Sequence, residues 1–179
     1  ISMDQQGHGR SGFDRAYMSF DSLGDDVLAL ADTLGLDRFY LGGLSMGAGV
    51  SVNVAVRCPE RLMGLILVRP AWLAEPMPAD MREYFGLLSR CLPLENGREI
   101  FLGEPAVHRL LKERPEGVQA FLPHFGAEDS RQRPEKFAIM PGQQPIREAG
   151  QLAGLRLPVL VAACRGDFVH PFEYGQWYA

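Results

Sequence analysis

Hydrophobic residues fall in two rhythms along this chain. Leu23, Val27, Leu28, Leu30, Ala31 and Leu34 recur at the spacing of one helix face. Ser22 precedes them, Asp25 and Asp26 fall in the first turn where the helix dipole favours negative charge, and Gly35 follows as a C-cap. The pattern predicts a helix from Leu23 to Leu34. The second rhythm is the short unbroken apolar run: Arg38 to Leu44, Met63 to Val68, and Leu157 to Ala163. Such runs predict strands covered on both faces, as in a parallel sheet. Residues 1–13 read as a strand end followed by a tight loop, Gln6-Gly7-His8-Gly9-Arg10-Ser11-Gly12.

Met46 to Arg57 fits both rhythms. Val50, Val52, Val54 and Val56 alternate with Ser51, Asn53 and Ala55, a strand period. A strand here would need a hairpin centred on Ser45, and the run Gly47-Ala48-Gly49 suits a helix packed tightly on a sheet. We therefore assign a helix, ended by Pro59. From Ala71 to about Gln151 strand runs vanish. Short amphipathic pieces alternate with Pro and Gly: Met81 to Leu92, Gly97 to Leu102, Ala106 to Glu113, Gly117 to Phe121 and Glu135 to Ile139. This predicts a helical insertion over 71–151 between core segments 1–70 and 152–179, with a last helix from Phe172 behind Pro171. Strands alternating with helices indicate an α/β fold with a mostly parallel sheet.

Gly43-Leu44-Ser45-Met46-Gly47 is a G-x-S-x-G at the turn between a predicted strand and a predicted helix. A strained turn there pushes the serine hydroxyl out of the sheet, and the flanking glycines are expected to avoid a collision between residues two before and two after it. A helix starting at Met46 aims free N–H groups at charge developing beside the serine.

The order of these features resembles that of the α/β-hydrolase superfamily across residues 1–70 and 152–179. Asp4-Gln5-Gln6-Gly7-His8-Gly9-Arg10-Ser11 is similar to the loop after the family's fourth strand. Gly43 to Gly47 is similar to its nucleophile elbow. Leu157 to Val161 with Gly166-Asp167-Phe168-Val169-His170-Pro171 is similar to the strand and loop that carry the triad acid. The stretch 71–151 stands where the family inserts its helical cap. The resemblance implies a serine hydrolase acting on a carboxylic ester or related carbonyl through an acyl-enzyme. Ser45 is then the nucleophile, Asp167 the acid and the Met46 backbone N–H an oxyanion donor. It also implies that one oxyanion donor precedes Ile1 and that the catalytic histidine follows Ala179. The chain begins as if in mid-strand and ends inside a predicted helix, so a piece of a longer protein is expected, inactive by itself.

Of the four histidines, His8 takes a structural role by the same resemblance, and His108 and His124 fall in the insertion. His170 is three residues from Asp167, a separation from which reaching both Asp167 and Ser45 is expected to be difficult. Arg69 ends a strand on the expected active edge. It is a candidate for binding a polar substrate group or for a salt bridge to the cap. Trp72, with Phe85, Phe121 and Phe125, is a candidate for an apolar pocket or for plain core. The segment Arg69 to Ala74 has no carboxylate, which favours Asp167 over an acid placed there.

Composition narrows the partners. Net charge is −4 with no basic block, which points away from nucleic acid and anionic membrane, and the resemblance implies a small-molecule substrate as the partner. No apolar run is long enough to span a bilayer. Cys58, Cys91 and Cys164 are odd in number and widely spaced, so a reducing, cytoplasmic setting is expected, with no metal and no cofactor. Acyl transfer or carbon–carbon bond hydrolysis on the same scaffold, and a non-catalytic binding protein, remain open alternatives.

Overall fold

The computed structural model describes residues 1–179. In chain order the regular elements are α1 (Phe20–Thr33), β1 (Phe39–Leu44), α2 (Met46–Arg57), β2 (Leu62–Val68), α3 (Ala79–Cys91), α4 (Gly97–Gly103), α5 (Pro105–Glu113), α6 (Pro115–Phe121), α7 (Glu128–Gln132), α8 (Glu135–Ile139), β3 (Val159–Ala162) and α9 (Phe172–Tyr178). The three strands form one parallel sheet in the order β1-β2-β3. The α/β class with a parallel sheet and flanking helices is therefore as expected. No helix is long and apolar enough to cross a membrane.

By spatial contact the chain forms two compact units, residues 1–18 with 77–142 and residues 19–76 with 143–179. The second unit holds the sheet. Ala48, Val52, Val54 and Ala55 of α2 pack with Leu62, Leu65 and Leu67 of β2 and with Ile146. Every residue of α2 from Ala48 to Ala55 is buried. A helix buried all round carries no amphipathic stripe, which is why its valines imitate a strand period. Each buried valine contributes about 1.5–3 kcal/mol through area removed from water. The small residues serve close approach, since a Cβ on Gly49 would meet the Phe20 ring at 2.5 Å.

Two local expectations change. Helix α1 begins at Phe20, because Ser19 and not Ser22 is the N-cap; the Ser19 hydroxyl oxygen accepts from the Ser22 N–H at 3.1 Å. The strand end expected in residues 1–13 does not form, and Ile1 to Gln5 carry no regular structure. A strand exists only where its backbone pairs, and these residues pair with none. The sheet also departs from the two-sided cover that its apolar runs imply. Parallel register puts Gly42, Ile66 and Leu160 side by side, with Tyr40 on the same face. Tyr40, Ile66 and Leu160 are 65%, 40% and 62% exposed, whereas Leu65 and Leu67 on the α2 side are buried.

In the helical unit, Phe101, Phe121 and Phe125 form a run of tilted ring contacts, and Phe85 meets Phe121 edge-on at 5.2 Å. A buried charge ties down the glycine-rich loop. Lys136 Nζ donates to the Gly7 carbonyl at 2.6 Å and pairs with Asp129 Oδ2 at 3.2 Å. The same carboxylate accepts from the Gly9 N–H, and Arg133 donates to the Gly9 carbonyl. His124 lies half-buried beside this cluster. Burial and then the Lys136 charge push its pKa down to about 4, against a smaller upward pull from Asp129. His8 is lowered for the same two reasons.

Between pH 6.5 and about 4 the unfolded chain therefore carries a proton on His124 that the folded chain does not. This predicts that stability falls as pH drops through that window. Each pKa unit is worth about 1.4 kcal/mol, so the share of His124 is at most about 3.5 kcal/mol. Urea unfolding of wild type and His124→Phe at about pH 7 and about pH 4.5 checks it. The variant is expected to lose less stability across the interval.

Candidate active site

The turn between β1 and α2 is a backbone reversal at one residue. Ser45 has φ 54° and ψ −111° and is one of two non-glycine residues with positive φ. Its N–H donates to the Val68 carbonyl at 2.9 Å, which pins the turn to the end of β2. Its carbonyl accepts from the Ala48 N–H and starts the helix. Met46 is the first residue of α2, where a backbone N–H has no partner inside the helix. The two flanking glycines differ. A Cβ on Gly43 would lie 2.2 Å from the Gly47 carbonyl carbon, so no side chain fits there. A Cβ on Gly47 would meet nothing within 4 Å. The collision expected at both positions exists at the first alone, because it is the backbone of Gly47 that occupies the space.

Asp167 lies in the loop after β3. Its Oδ1 accepts the backbone N–H groups of Val169 (3.2 Å) and His170 (3.1 Å). Its Oδ2 accepts from Arg69 Nε at 2.6 Å and pairs with the terminal Arg69 nitrogen at 2.5 Å. His170 Nδ1 stands 3.0 and 3.1 Å from the two carboxylate oxygens. On the other side of the ring, Nε2 is 2.8 Å from Ser45 Oγ. The side chains of Asp167 and His170 are 8% and 12% exposed.

The expectation that His170 would have difficulty reaching both partners is thus corrected. The Asp167 side chain bonds the N–H groups two and three residues on, which folds the loop into an Asx-type turn. That turn lays the imidazole against its own acid. Because the two ring nitrogens point apart, the second is left free to meet Ser45. An Asp followed three residues later by His was the one signal of this in the sequence.

Burial alone would raise the Asp167 carboxyl, but the hydrogen bond and charge of His170 and the bond from Arg69 outweigh it and hold the group below its ordinary range. Burial lowers His170, the bond and charge of Asp167 raise it, and the Arg69 charge lowers it again. The net shift is downward, so the imidazole is neutral at pH 7. With Nδ1–H donating to the carboxylate, Nε2 is the acceptor for the Ser45 hydroxyl. A hydroxyl, a neutral imidazole and a carboxylate joined in this order form an arrangement able to take the hydroxyl proton as the oxygen attacks a carbonyl.

A family model described as serine aminopeptidase, S33, matches residues 1–113. The chain belongs to this family, within the α/β-hydrolase superfamily. It is 31% identical over 155 residues to a dihydrolipoyllysine-residue acetyltransferase component of an acetoin cleaving system from Pseudomonas putida, covering 81% of this chain and 42% of the relative. It is 41% identical over 161 residues to a 2-hydroxy-6-oxo-6-phenylhexa-2,4-dienoate hydrolase from Comamonas testosteroni, covering 83% of this chain and 53% of that one. Among solved structures, a hydrolase from Pseudomonas aeruginosa superposes with TM-score 0.67 at 28% identity, over 98% of this chain and 65% of that chain. The chain thus spans less than two thirds of each of these relatives.

The remaining sequence candidates fall in different places. Arg69 meets Asp167. Trp72 is 5% exposed and packs edge-on against Phe20 at 5.3 Å, its indole N–H buried without a partner. Phe85, Phe121 and Phe125 belong to the ring cluster of the helical unit. His8 donates from Nδ1 to the Gln6 carbonyl, and His108 is exposed on α5.

The Gly43–Gly47 contact predicts an asymmetry. Gly43→Ala must displace backbone, and a loss of more than about 2 kcal/mol is expected. Gly47→Ala meets open space inside a helix, and a gain of up to about 1 kcal/mol is expected. Chemical denaturation of both variants checks the difference.

Proposed function

We propose that this protein is a serine hydrolase that cleaves a carboxylic ester or related carbonyl compound through an acyl-enzyme on Ser45. The single observation that carries the reading is the hydrogen-bonded sequence Ser45 Oγ, His170, Asp167. Ser45 attacks the carbonyl carbon while His170 Nε2 accepts its proton. Asp167 holds the ring by Nδ1 and stabilises the imidazolium that forms. The Met46 N–H, at the start of α2, donates to the oxyanion. The proton then passes from Nε2 to the leaving group, and water repeats the sequence to release the acid.

Acyl transfer and carbon–carbon bond hydrolysis need the same elbow, so the substrate class is left at the carbonyl. One relative is named an acetyltransferase component and another a dienoate hydrolase. The free cysteines are in keeping with a reducing, cytoplasmic setting. The core segments 1–70 and 152–179 with a cap at 71–151 also stand as our proposal. Turnover by the 179-residue chain itself is expected to be very low. By the resemblance, one oxyanion donor precedes Ile1, and losing one such donor costs about 10²–10³ in rate.

A second reading, in which the base is a residue other than His170, has its own observation: the chain spans only 42% and 65% of the length of two proteins it matches. Labelling with a fluorophosphonate probe, which needs a single covalent capture, separates the two. The adduct is expected on Ser45, absent in Ser45→Ala, and slowed about 10²–10⁴-fold in His170→Ala. An adduct elsewhere, or full labelling of Ser45→Ala, overturns the proposal. Labelling of Ser45 at an unchanged rate in His170→Ala assigns the base to another residue. The low pKa of His170 further predicts that labelling persists below pH 6.5 and is lost as the imidazole protonates.

A further inference from the structure

Arg69 and Ser45 are the two non-glycine residues with positive φ, 47° and 54°. Arginine rarely adopts that conformation, and such strain persists only where the surroundings impose it. Here they do. The Arg69 N–H donates to the Ala162 carbonyl at 2.7 Å, so the residue is still held to β3 at the point where β2 ends. Its side chain meets the loop that follows β3 and reaches Asp167. Two guanidinium nitrogens converge on the one oxygen, Oδ2, at 2.6 and 2.5 Å. The other oxygen is occupied by the Val169 and His170 N–H groups. A carboxylate offers about four acceptor sites. With the imidazole added, Asp167 has five donors, so it has no freedom to rotate away from His170.

We infer that Arg69 is a positioning residue for the Ser45–His170–Asp167 site, fixing the Asp167 carboxylate against His170 and sharing its negative charge. This rests on the site reading proposed above, and it differs from both roles the sequence suggested for Arg69. The guanidinium shares the negative charge that would otherwise make His170 more basic. The ionisable groups that face His170 are Asp167 from its own loop and Arg69 from the end of β2; from the β1–α2 turn comes the uncharged Ser45 hydroxyl. Arg69 is 43% exposed and Asp167 is 8% exposed. The guanidinium is therefore partly screened, while the carboxylate it holds is not.

The test is a titration of the His170 imidazole by nitrogen-15 NMR in the 179-residue chain, which needs no turnover. Arg69→Met and Arg69→Gly are each expected to raise the His170 pKa by roughly one unit, a tenfold change in proton affinity. Arg69→Gly also relieves the positive φ, so it keeps the fold accessible if the Met variant is unstable. Arg69→Lys retains the charge without the fork and is expected to bring the pKa most of the way back. Wild-type titration in both neutral variants overturns the inference. So does a Lys variant that behaves like Met, or unfolding of both neutral variants while the Lys variant folds. Asp167→Asn is the control, expected to lower the His170 pKa. If Asp167→Asn leaves it unmoved, the Asp167–His170 contact fails and the proposed function with it. If Asp167→Asn lowers it but the Arg69 variants leave it unmoved, this inference alone fails.

Discussion

The reversal of the backbone at Ser45 is the constraint on which the site depends. A residue at φ 54° between a strand and a helix is unfavourable for serine. It is held by neighbours on three sides: the Val68 carbonyl on its N–H, the first turn of α2 on its carbonyl, and the contact of Gly43 with the backbone of Gly47. That contact lets α2 descend immediately beside β1. Because α2 is then buried from Ala48 to Ala55, the turn is anchored by the core itself. The hydroxyl is left at the edge of the sheet, where the loop after β3 also ends.

The chemistry of that edge is a balance of charges around one carboxylate. Burial alone would make Asp167 harder to ionise and His170 harder to protonate. The donors on Asp167 reverse the first effect. For His170 the pull of Asp167 is offset by burial and by Arg69, so the imidazole remains neutral and can accept a proton. A similar opposition acts in the helical unit, where Lys136 is held between a carbonyl and Asp129, and burial first and then the Lys136 charge lower the His124 pKa. In both places a buried polar group is tolerated because each donor finds an acceptor.

The fold was largely legible. The unbroken runs ending at Leu44, Val68 and Ala163 each contain an observed strand, and the proline- and glycine-punctuated stretch gives the short helices α3 to α8. Helix α7 went unread because its Glu-Asp-Ser-Arg-Gln carries no apolar periodicity. The apolar content of β1, β2 and β3 implied cover on both faces, yet Tyr40, Ile66 and Leu160 are exposed. Composition reports what a strand is able to bury, and only packing reports what lies against it.

By itself the sequence determined the kinds of element, their order and the serine at the turn, because periodicity and glycine placement act over a few neighbouring residues. It also named Asp167, through its place after an unbroken apolar run and a glycine. Tertiary structure decided which side chains meet. His170 was set aside for lying too near its acid, and the Asx-type turn made that nearness the means of contact. Arg69, by sequence a candidate for a polar substrate group or a cap salt bridge, is brought against Asp167 from the end of β2. These outcomes rest on backbone dihedrals and on distances between residues 98 and 125 positions apart. Local pattern holds no record of either.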